Sequence, residues 1–354
     1  MSNGRVMFFH NWSHGVFQKK MIAGLKDVGV EVYAPDYSGP IFPLSRAIRN
    51  SETRILHLHW VQDLIASNEP NFLRACIRYC LFYFDLLILR FVLKVPIIWT
   101  VHNLQSHEMN WPGLDIMGRR MLAKRSKQIT VMGNYAVSTV AATYGIPTSK
   151  ISVIHHGNFS GVLPKFGKQN EIKQELGYQP EESIFLFFGN VRPYKGVEDL
   201  IKAFENLDEP NSHLIVAGRP VKMNAEYITN LTKDERIHFD LRFIPNDLLA
   251  KYINAADVLV FPYKNILTSG SIILAISQGK IFVAPDLGTI ADYYRPGGGV
   301  LYQSNDPGAL EKALKKAMHL DKEKAKVVNL ALAKELSWES ISKAYKALYQ
   351  NLLK

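Results

Sequence analysis

The chain has almost no cysteine. In 354 residues only Cys76 and Cys80 occur, four apart in one apolar run, which excludes a disulfide framework and a four-cysteine zinc site and predicts a reducing compartment. Three phosphate-binding devices are missing as well. No G-x-G-x-x-G follows the first predicted strand, where the chain reads His10-Asn11-Trp12-Ser13-His14-Gly15, and this disfavours a nicotinamide or flavin enzyme. No G-x-x-x-x-G-K-[ST] occurs, which argues against a P-loop ATPase. No Asp-x-Asp pair is present to hold a divalent ion against a diphosphate. A metal-independent protein without a resident cofactor is therefore expected. The first fifteen residues lack an apolar stretch between a basic end and a cleavage site, so the chain reads as cytoplasmic. There is no internal repeat and no low-complexity tract.

What is present is the composition of a folded protein, with 47% hydrophobic and 21% charged residues, in a length that suits two domains. The net charge of +10 is unevenly placed. Residues 1–160 hold 17 lysines and arginines against 9 acids, and residues 161–354 hold 25 against 23. A basic front half suits nucleic acid, an anionic membrane surface or a phosphorylated substrate.

Short β-branched and aromatic runs alternate with helical stretches in both halves, the pattern of α/β domains with a doubly wound parallel sheet. Predicted strands in the front half are Val6–Phe9, Glu31–Ala34, Ile55–His59, Ile97–His102, Gln128–Val131 and Ile151–His155, with a helix over Phe17–Val28 closed by Gly29. The pattern lapses from Ser160 to Gln179 and then restarts with strands Ser183–Phe188, His213–Ala217, Ile237–Asp240, Val258–Phe261 and Ile281–Ala284. Helices are predicted at Val197–Glu205, Asn246–Ala255 and Ser271–Gln278. The expected organisation is a first Rossmann-like domain over 1–160, a linker over 161–180 and a second Rossmann-like domain over 181–336. A last helix over 337–354, with Trp338, Ile341, Tyr345, Leu348 and Leu352 on one face, is expected to pack back on the first domain. Two such domains leave a cleft between them, and ligands sit at the carboxyl ends of the strands.

Residues just after the strands are therefore where chemistry is sought. After Phe188 come Gly189, Arg192 and Lys195 on a turn that enters a helix, and two cations there suit a diphosphate. The competing reading is a solvated turn whose lysine pairs with Glu198 or Asp199. After Phe261 come Tyr263 and the small-residue turn Ser269-Gly270-Ser271 at a helix start, whose amides can bind phosphate without charged side chains; here the alternative is an ordinary capped helix. Histidines gather at strand ends in the front half: His57, His59, His102, His107, His155 and His156. Their spacing does not establish the convergence that a zinc site needs. His102 ends a buried strand and faces the expected cleft, where a polar group serves chemistry better than packing. Asp63 and Glu108 lie beyond strand ends and are alternative bases. The run Phe72–Leu93 is long enough to cross a bilayer but is broken by Arg74, Arg78, Asp85 and Arg90, so it reads either as a helix lying on a membrane or as a helix buried against the sheet.

These residues resemble the group-1 family of nucleotide-sugar glycosyltransferases with the GT-B fold. The resemblance is carried by Arg192-Pro193-Tyr194-Lys195-Gly196, Leu214 to Pro220 with Gly218-Arg219, Phe243-Ile244-Pro245-Asn246-Asp247, Ala255 to Tyr263, and Ser269-Gly270-Ser271 through Gly279 to Pro285. It implies a hexosyltransferase whose second domain holds a nucleotide diphosphate-sugar as co-substrate. Gly189, Arg192, Lys195, Arg219, Tyr263 and Ser269 to Ser271 would lie around the donor, with Phe243 and Ile244 beside the base. His102 matches the histidine that the family places near the donor sugar, and His14 and Gly15 fall on the acceptor side. The family often carries two glutamates eight apart before Gly279. Here those positions are Ile266 and Leu274, and the Ser269-Gly270-Ser271 turn resembles that of relatives that build bacterial polysaccharides; retention or inversion stays open. The implied acceptor is a saccharide, often lipid-linked, and the implied location is the inner face of a membrane, with an anionic lipid surface as a partner and no nucleic acid. A sugar-nucleotide epimerase of the same fold and a non-catalytic sugar-nucleotide-binding module at a membrane are the alternatives.

Overall fold

A computed structural model of the protein describes residues 5–9, 15–36, 39, 41–65, 68–106 and 109–354. The chain divides into two compact units, one made of Met1–Gly157 with Leu336–Lys354 and the other of Asn158–Glu335. Among the described residues the first unit carries strands β1 (Arg5–Phe9), β2 (Val32–Tyr33), β3 (Thr53–Leu58), β4 (Ile97–Thr100), β5 (Gln128–Val131) and β6 (Ile151–Val153) in the order β2-β1-β3-β4-β5-β6. All pairings are parallel. Val6, Met7, Phe8 and Phe9 are buried in succession, as befits a strand covered on both faces.

Three strands end earlier than the sequence pattern suggests. The apolar runs stop at Leu58, Thr100 and Val153, so His59, His102 and His155 lie past the ladder in irregular chain. That displacement lets the His59 and His102 rings meet, while His155 Nδ1 lies 3.2 Å from the Met132 carbonyl.

The second unit repeats the plan with β7 (Ser183–Phe188), β8 (Ser212–Ala217), β9 (Ile237–Asp240), β10 (Val258–Val260), β11 (Ile281–Pro285) and β12 (Gly299–Tyr302), ordered β12-β11-β10-β7-β8-β9 and all parallel. Its helix Val197–Glu205 buries Val197, Leu200, Ile201 and Phe204, the three- and four-residue spacing of one helical face.

The segment 161–180 is not a free connection. It holds the helix Gln169–Glu175, which buries Ile172 and Lys173, and it belongs to the second unit. The Lys173 ammonium donates to Asp257 at 2.9 Å and Gln169 donates to the Ala255 carbonyl at 3.0 Å. One buried apolar side chain in seven residues leaves no readable periodicity, and the remaining anchoring is polar. The boundary falls instead between Gly157 and Asn158.

At the other end of the chain, Ser337 caps the helix Trp338–Leu352 by accepting from the Ser340 amide. This helix lies against the helix Val16–Asp27 and buries Ile341, Tyr345 and Tyr349 in the first unit's core. The approach is close at Gly24, where a Cβ would come within 2.5 Å of the Ser342 hydroxyl.

The helix Phe72–Leu87 continues into a π-helical turn over Ile88–Val92. Its one acid, Asp85, is buried and accepts from the amides of Leu44 and Ser45 at 2.8 and 3.0 Å, capping the helix Pro43–Arg49. Burial raises the carboxyl pKa, and those amides offset only part of the rise. Among the described residues no helix is long and apolar enough to cross a membrane.

Candidate active site

In the second unit three strand-end turns converge. Gly189 follows β7 with φ +103°, and a Cβ on Gly218, which follows β8, would lie 2.1 Å from the Gly189 carbonyl oxygen. The two turns are joined by Val191 donating to Arg219 at 2.9 Å and Val221 donating to Val191 at 2.8 Å. The third turn, after β10, meets Gly196: a Cβ there would lie 1.9 Å from the Pro262 carbonyl oxygen. Only glycine fits at φ +72° against that backbone. The Lys264 amide then donates to the Tyr194 carbonyl at 2.8 Å.

This convergence sets Lys195. Its ammonium stands 5.9 Å from the Phe187 ring centre and 6.0 Å from that of Tyr263, and an ideal Cβ on Gly189 would lie 3.0 Å from it. Among the described residues it has no carboxylate partner. Glu198 and Asp199 are instead taken by Lys264, at 3.9 and 3.1 Å, and Tyr227 donates to Glu198 at 2.8 Å. Burial, and then repulsion from Arg192, lowers the Lys195 pKa to about 8. A cation held away from acids beside two glycines suits an anion.

Arg192 begins the same turn, half-buried, and Arg219 is exposed on the neighbouring one. Tyr263 is buried, with its hydroxyl 3.1 Å from the Ser269 hydroxyl and its pKa pushed up to about 12 by burial. Ser269 caps the helix Gly270–Ser277, accepting from Ile272 at 3.4 Å. Ser269, Gly270 and Ser271 are half-buried. Past β9, Phe243 is 75% exposed and Ile244 half-buried. Ile266 and Leu274, at the positions where the family often has glutamates, are half-buried.

The first unit's strand ends have a different chemistry. His57, inside β3, is 2.7 Å from the Tyr349 hydroxyl and 2.7 Å from that of Thr100, which lies 2.6 Å from Thr130. This buried network fastens the last helix to the sheet, so His57 is a structural group. Past the strands, His59 Nδ1 lies 3.1 Å from His102 Nε2. Trp60 stacks on His102 at 4.3 Å and 18°, and Phe17 meets His102 and His156 edgewise or tilted at 5.3 and 4.8 Å. His156 Nδ1 donates to the Gly157 carbonyl at 2.6 Å. Among the described residues His59 Nε2 is buried without a partner.

Burial lowers the pKa of all four rings: His57 to about 3, His156 to about 4, and His59 and His102 well below the usual value. Mutual repulsion adds to this for His57, His59 and His102. At neutral pH the cluster is uncharged. Among the described residues no group of three or more histidines, cysteines and acids is placed to hold a metal ion.

Asp63 lies on a separate element, the short helix Gln62–Ile65, where its carbonyl accepts from Arg78 at 2.8 Å. Gly15 opens the helix Val16–Asp27 in extended conformation. His14 and Glu108 lie outside the described residues. Sequence spacing located His102 but not its setting, because Phe17, Trp60 and His156 reach it from three other parts of the chain. Lys264 was missed too. Its only signal was the Pro262-Tyr263-Lys264 strand end.

Two units, each built on a six-stranded parallel sheet, define a two-domain α/β architecture. Residues 168–332 match the family of Glycosyl transferases group 1, and residues 23–157 match Glycosyltransferase Family 4. Together these matches span most of the chain, which belongs to the group-1 glycosyltransferases and has the GT-B fold. Among its relatives is the GDP-mannose:glycolipid 4-beta-D-mannosyltransferase of Xanthomonas campestris, 28% identical over 78% of this chain and 74% of that one. The D-inositol 3-phosphate glycosyltransferase of Mycolicibacterium gilvum is 23% identical over 61% of this chain and 51% of its own. Anabaena HepE, solved in complex with UDP and glucose, superposes with a TM-score of 0.70 at 16% identity, over 98% of this chain and 100% of that one.

Proposed function

We propose that this glycosyltransferase moves a hexose from a nucleotide diphosphate-sugar to a hydroxyl of a lipid-linked saccharide, in bacterial surface polysaccharide synthesis, without a metal ion and at the inner face of a membrane. The observation that carries the reading is the Lys195 ammonium, set between Phe187 and Tyr263 beside Gly189 while Lys264 occupies the nearby acids. In transfer the bond from the anomeric carbon to the diphosphate breaks and negative charge grows on the leaving oxygen. Lys195, Arg192 and the amides at Ser269 to Ser271 are disposed to stabilise it. Arg219 and Tyr263 complete the donor pocket in this reading, and the exposed Phe243 with Ile244 offers an apolar face to the base. The Xanthomonas relative, which by its name takes GDP-mannose and a glycolipid, supports a lipid-linked acceptor.

The acceptor hydroxyl must lose a proton as the new bond forms. A group with a strongly lowered pKa is a weak base, so His102 serves better as a neutral hydrogen-bond partner of the sugar. That leaves Asp63 or Glu108 as the base if the reaction inverts, with Gly15 and His14 on the acceptor side. Incubation with a panel of UDP- and GDP-sugars, with and without a lipid-linked saccharide, tests the proposal. Nucleotide release that requires the acceptor is expected. Isomerisation of the donor without acceptor would make it an epimerase, and binding without turnover would make it a sugar-nucleotide-binding module.

A further inference from the structure

The first unit has a cationic site of its own, at the opposite edge of its sheet from His102. The segments leading into β4, β5 and β6 line a cavity of about 560 Å³ that presents Arg90, Lys94, Lys124, Arg125, Lys127 and Lys150 and no acidic residue. Among the described residues none of the six makes an ion pair. Lys150 donates to the carbonyls of Ala123 and Lys124 at 2.8 Å each, and Arg125 lies 4.7 Å over the Tyr83 ring. Lys94 is held at φ +52°, a backbone conformation uncommon for a side-chain-bearing residue. Six cations around one cavity repel one another unless an anion with several charges sits among them.

Apolar side chains stand beside this cavity. On the π-helical turn that supplies Arg90, Phe91 is 64% and Val92 63% exposed. Along the preceding helix Leu73, Ile77 and Phe84 are exposed as well, four and seven residues apart and so on one side of it. Exposed apolar groups ending in a nest of lysines and arginines match a bilayer interface, apolar toward the acyl boundary and cationic at the phosphates.

We propose that this cavity is a headgroup site for anionic phospholipid, with Phe91 and Val92 entering the acyl boundary beside it and the Leu73–Ile77–Phe84 side of the helix lying on the bilayer. The inference rests on the reading of a lipid-linked acceptor, and it assigns the membrane contact to residues that take no part in transfer.

The test is sedimentation of the protein with vesicles of phosphatidylcholine alone, or with added phosphatidylglycerol, at low and high salt. The protein is expected to bind the anionic vesicles at low salt and to release them at high salt. Lys94→Glu/Lys124→Glu/Lys127→Glu, all at exposed positions, should weaken that binding roughly 100-fold, and Phe91→Asn/Val92→Asn should also weaken it. Both variants should turn over a short soluble acceptor as the parent does. Equal binding to neutral vesicles, or unchanged binding by the triple variant, overturns the proposal. So does stabilisation of the parent by pyrophosphate without vesicle binding, which would make the cavity a site for a soluble anion. Transfer to a lipid-linked acceptor without vesicle binding removes this site and leaves the function standing; vesicle binding without any transfer does the reverse.

Discussion

The carboxyl edges of the two sheets are built on one plan and carry opposite chemistry. In the first unit burial holds His57, His59, His102 and His156 neutral among Phe17, Trp60 and Trp338. In the second, burial lowers the Lys195 pKa only to about 8, so this group keeps its charge at neutral pH. The difference lies in how far each ordinary value stands from pH 7. A histidine loses its charge to a modest desolvation, while a lysine has a margin of more than three pH units. Equivalent strand ends can thus carry a buried neutral cluster in one unit and a cationic turn in the other.

The sharpest way to break this contrast is to remove the cations. Arg192→Ala and Lys195→Ala are each expected to lower turnover by about 100-fold or more, since each deletes a preorganised charge from the leaving group. Lys195→Ala should not alter the thermal midpoint greatly, because among the described residues Lys195 makes no ion pair. Steady-state rates within about threefold of the parent for both variants would remove them from the site.

The second unit's turn was legible from the sequence because all its parts are local: β7, Gly189, Arg192, Lys195 and the helix from Val197 lie within twenty residues. What the sequence withheld was the pairing around it. Lys264 reaches Glu198 and Asp199 from more than sixty residues away, and this settles which lysine is neutralised. The first unit's cluster was less legible. His57 meets Tyr349 across 292 residues, and Trp60 meets His102 across several intervening helices and a strand, so no spacing rule links them. The segment 161–180 misled for the converse reason. Its helix is anchored by Lys173 and Gln169, whose polarity reads as solvent exposure until Asp257 and the Ala255 carbonyl are placed beside them.

A pH profile sharpens the comparison next. The depressed Lys195 pKa belongs to the free enzyme, and kcat/KM reports free-enzyme ionisations. As pH rises through about 8 the amine loses its proton and the diphosphate loses a counter-charge. We expect kcat/KM to fall about tenfold per pH unit above that value. Lys195→Arg should abolish this limb, at a lower maximal rate, because a guanidinium stays protonated there. An unchanged alkaline limb in that variant would assign the ionisation to another group.

Acid should separate the units by stability. The unfolded histidines take up protons near pH 6.5, whereas the folded His57 and His156 do so only at about 3 and 4. Between those values the unfolded chain binds more protons, so stability falls as pH drops below about 6.5. The second unit has one histidine lowered in the same way, His238. All five tryptophans, at 12, 60, 99, 111 and 338, belong to the first unit, so their fluorescence follows that unit alone. From pH 7 to 5 its thermal transition should fall by roughly 10 °C, more than the change in circular dichroism, which follows the helices of both units. Identical shifts in the two signals would mean that the histidine cluster does not set the acid limit.

The smallest expected effect concerns metal. A diphosphate leaving group can be neutralised by a divalent ion or by fixed protein cations, and an ion needs oxygen ligands from the protein or from the substrate. The second unit's convergent turns offer Arg192, Lys195 and helix-start amides, with apolar Ile266 and Leu274 where the family often has carboxylates. Glu198 and Asp199, the nearest acids on the turn, are held by Lys264. Excess chelator should therefore leave the initial rate within about twofold, because in the proposed mechanism the charges that stabilise the leaving group are part of the chain. A rate that collapses in chelator and returns with magnesium or manganese would place an ion between diphosphate and protein, and Arg192 and Lys195 would then orient the donor instead of bearing its charge.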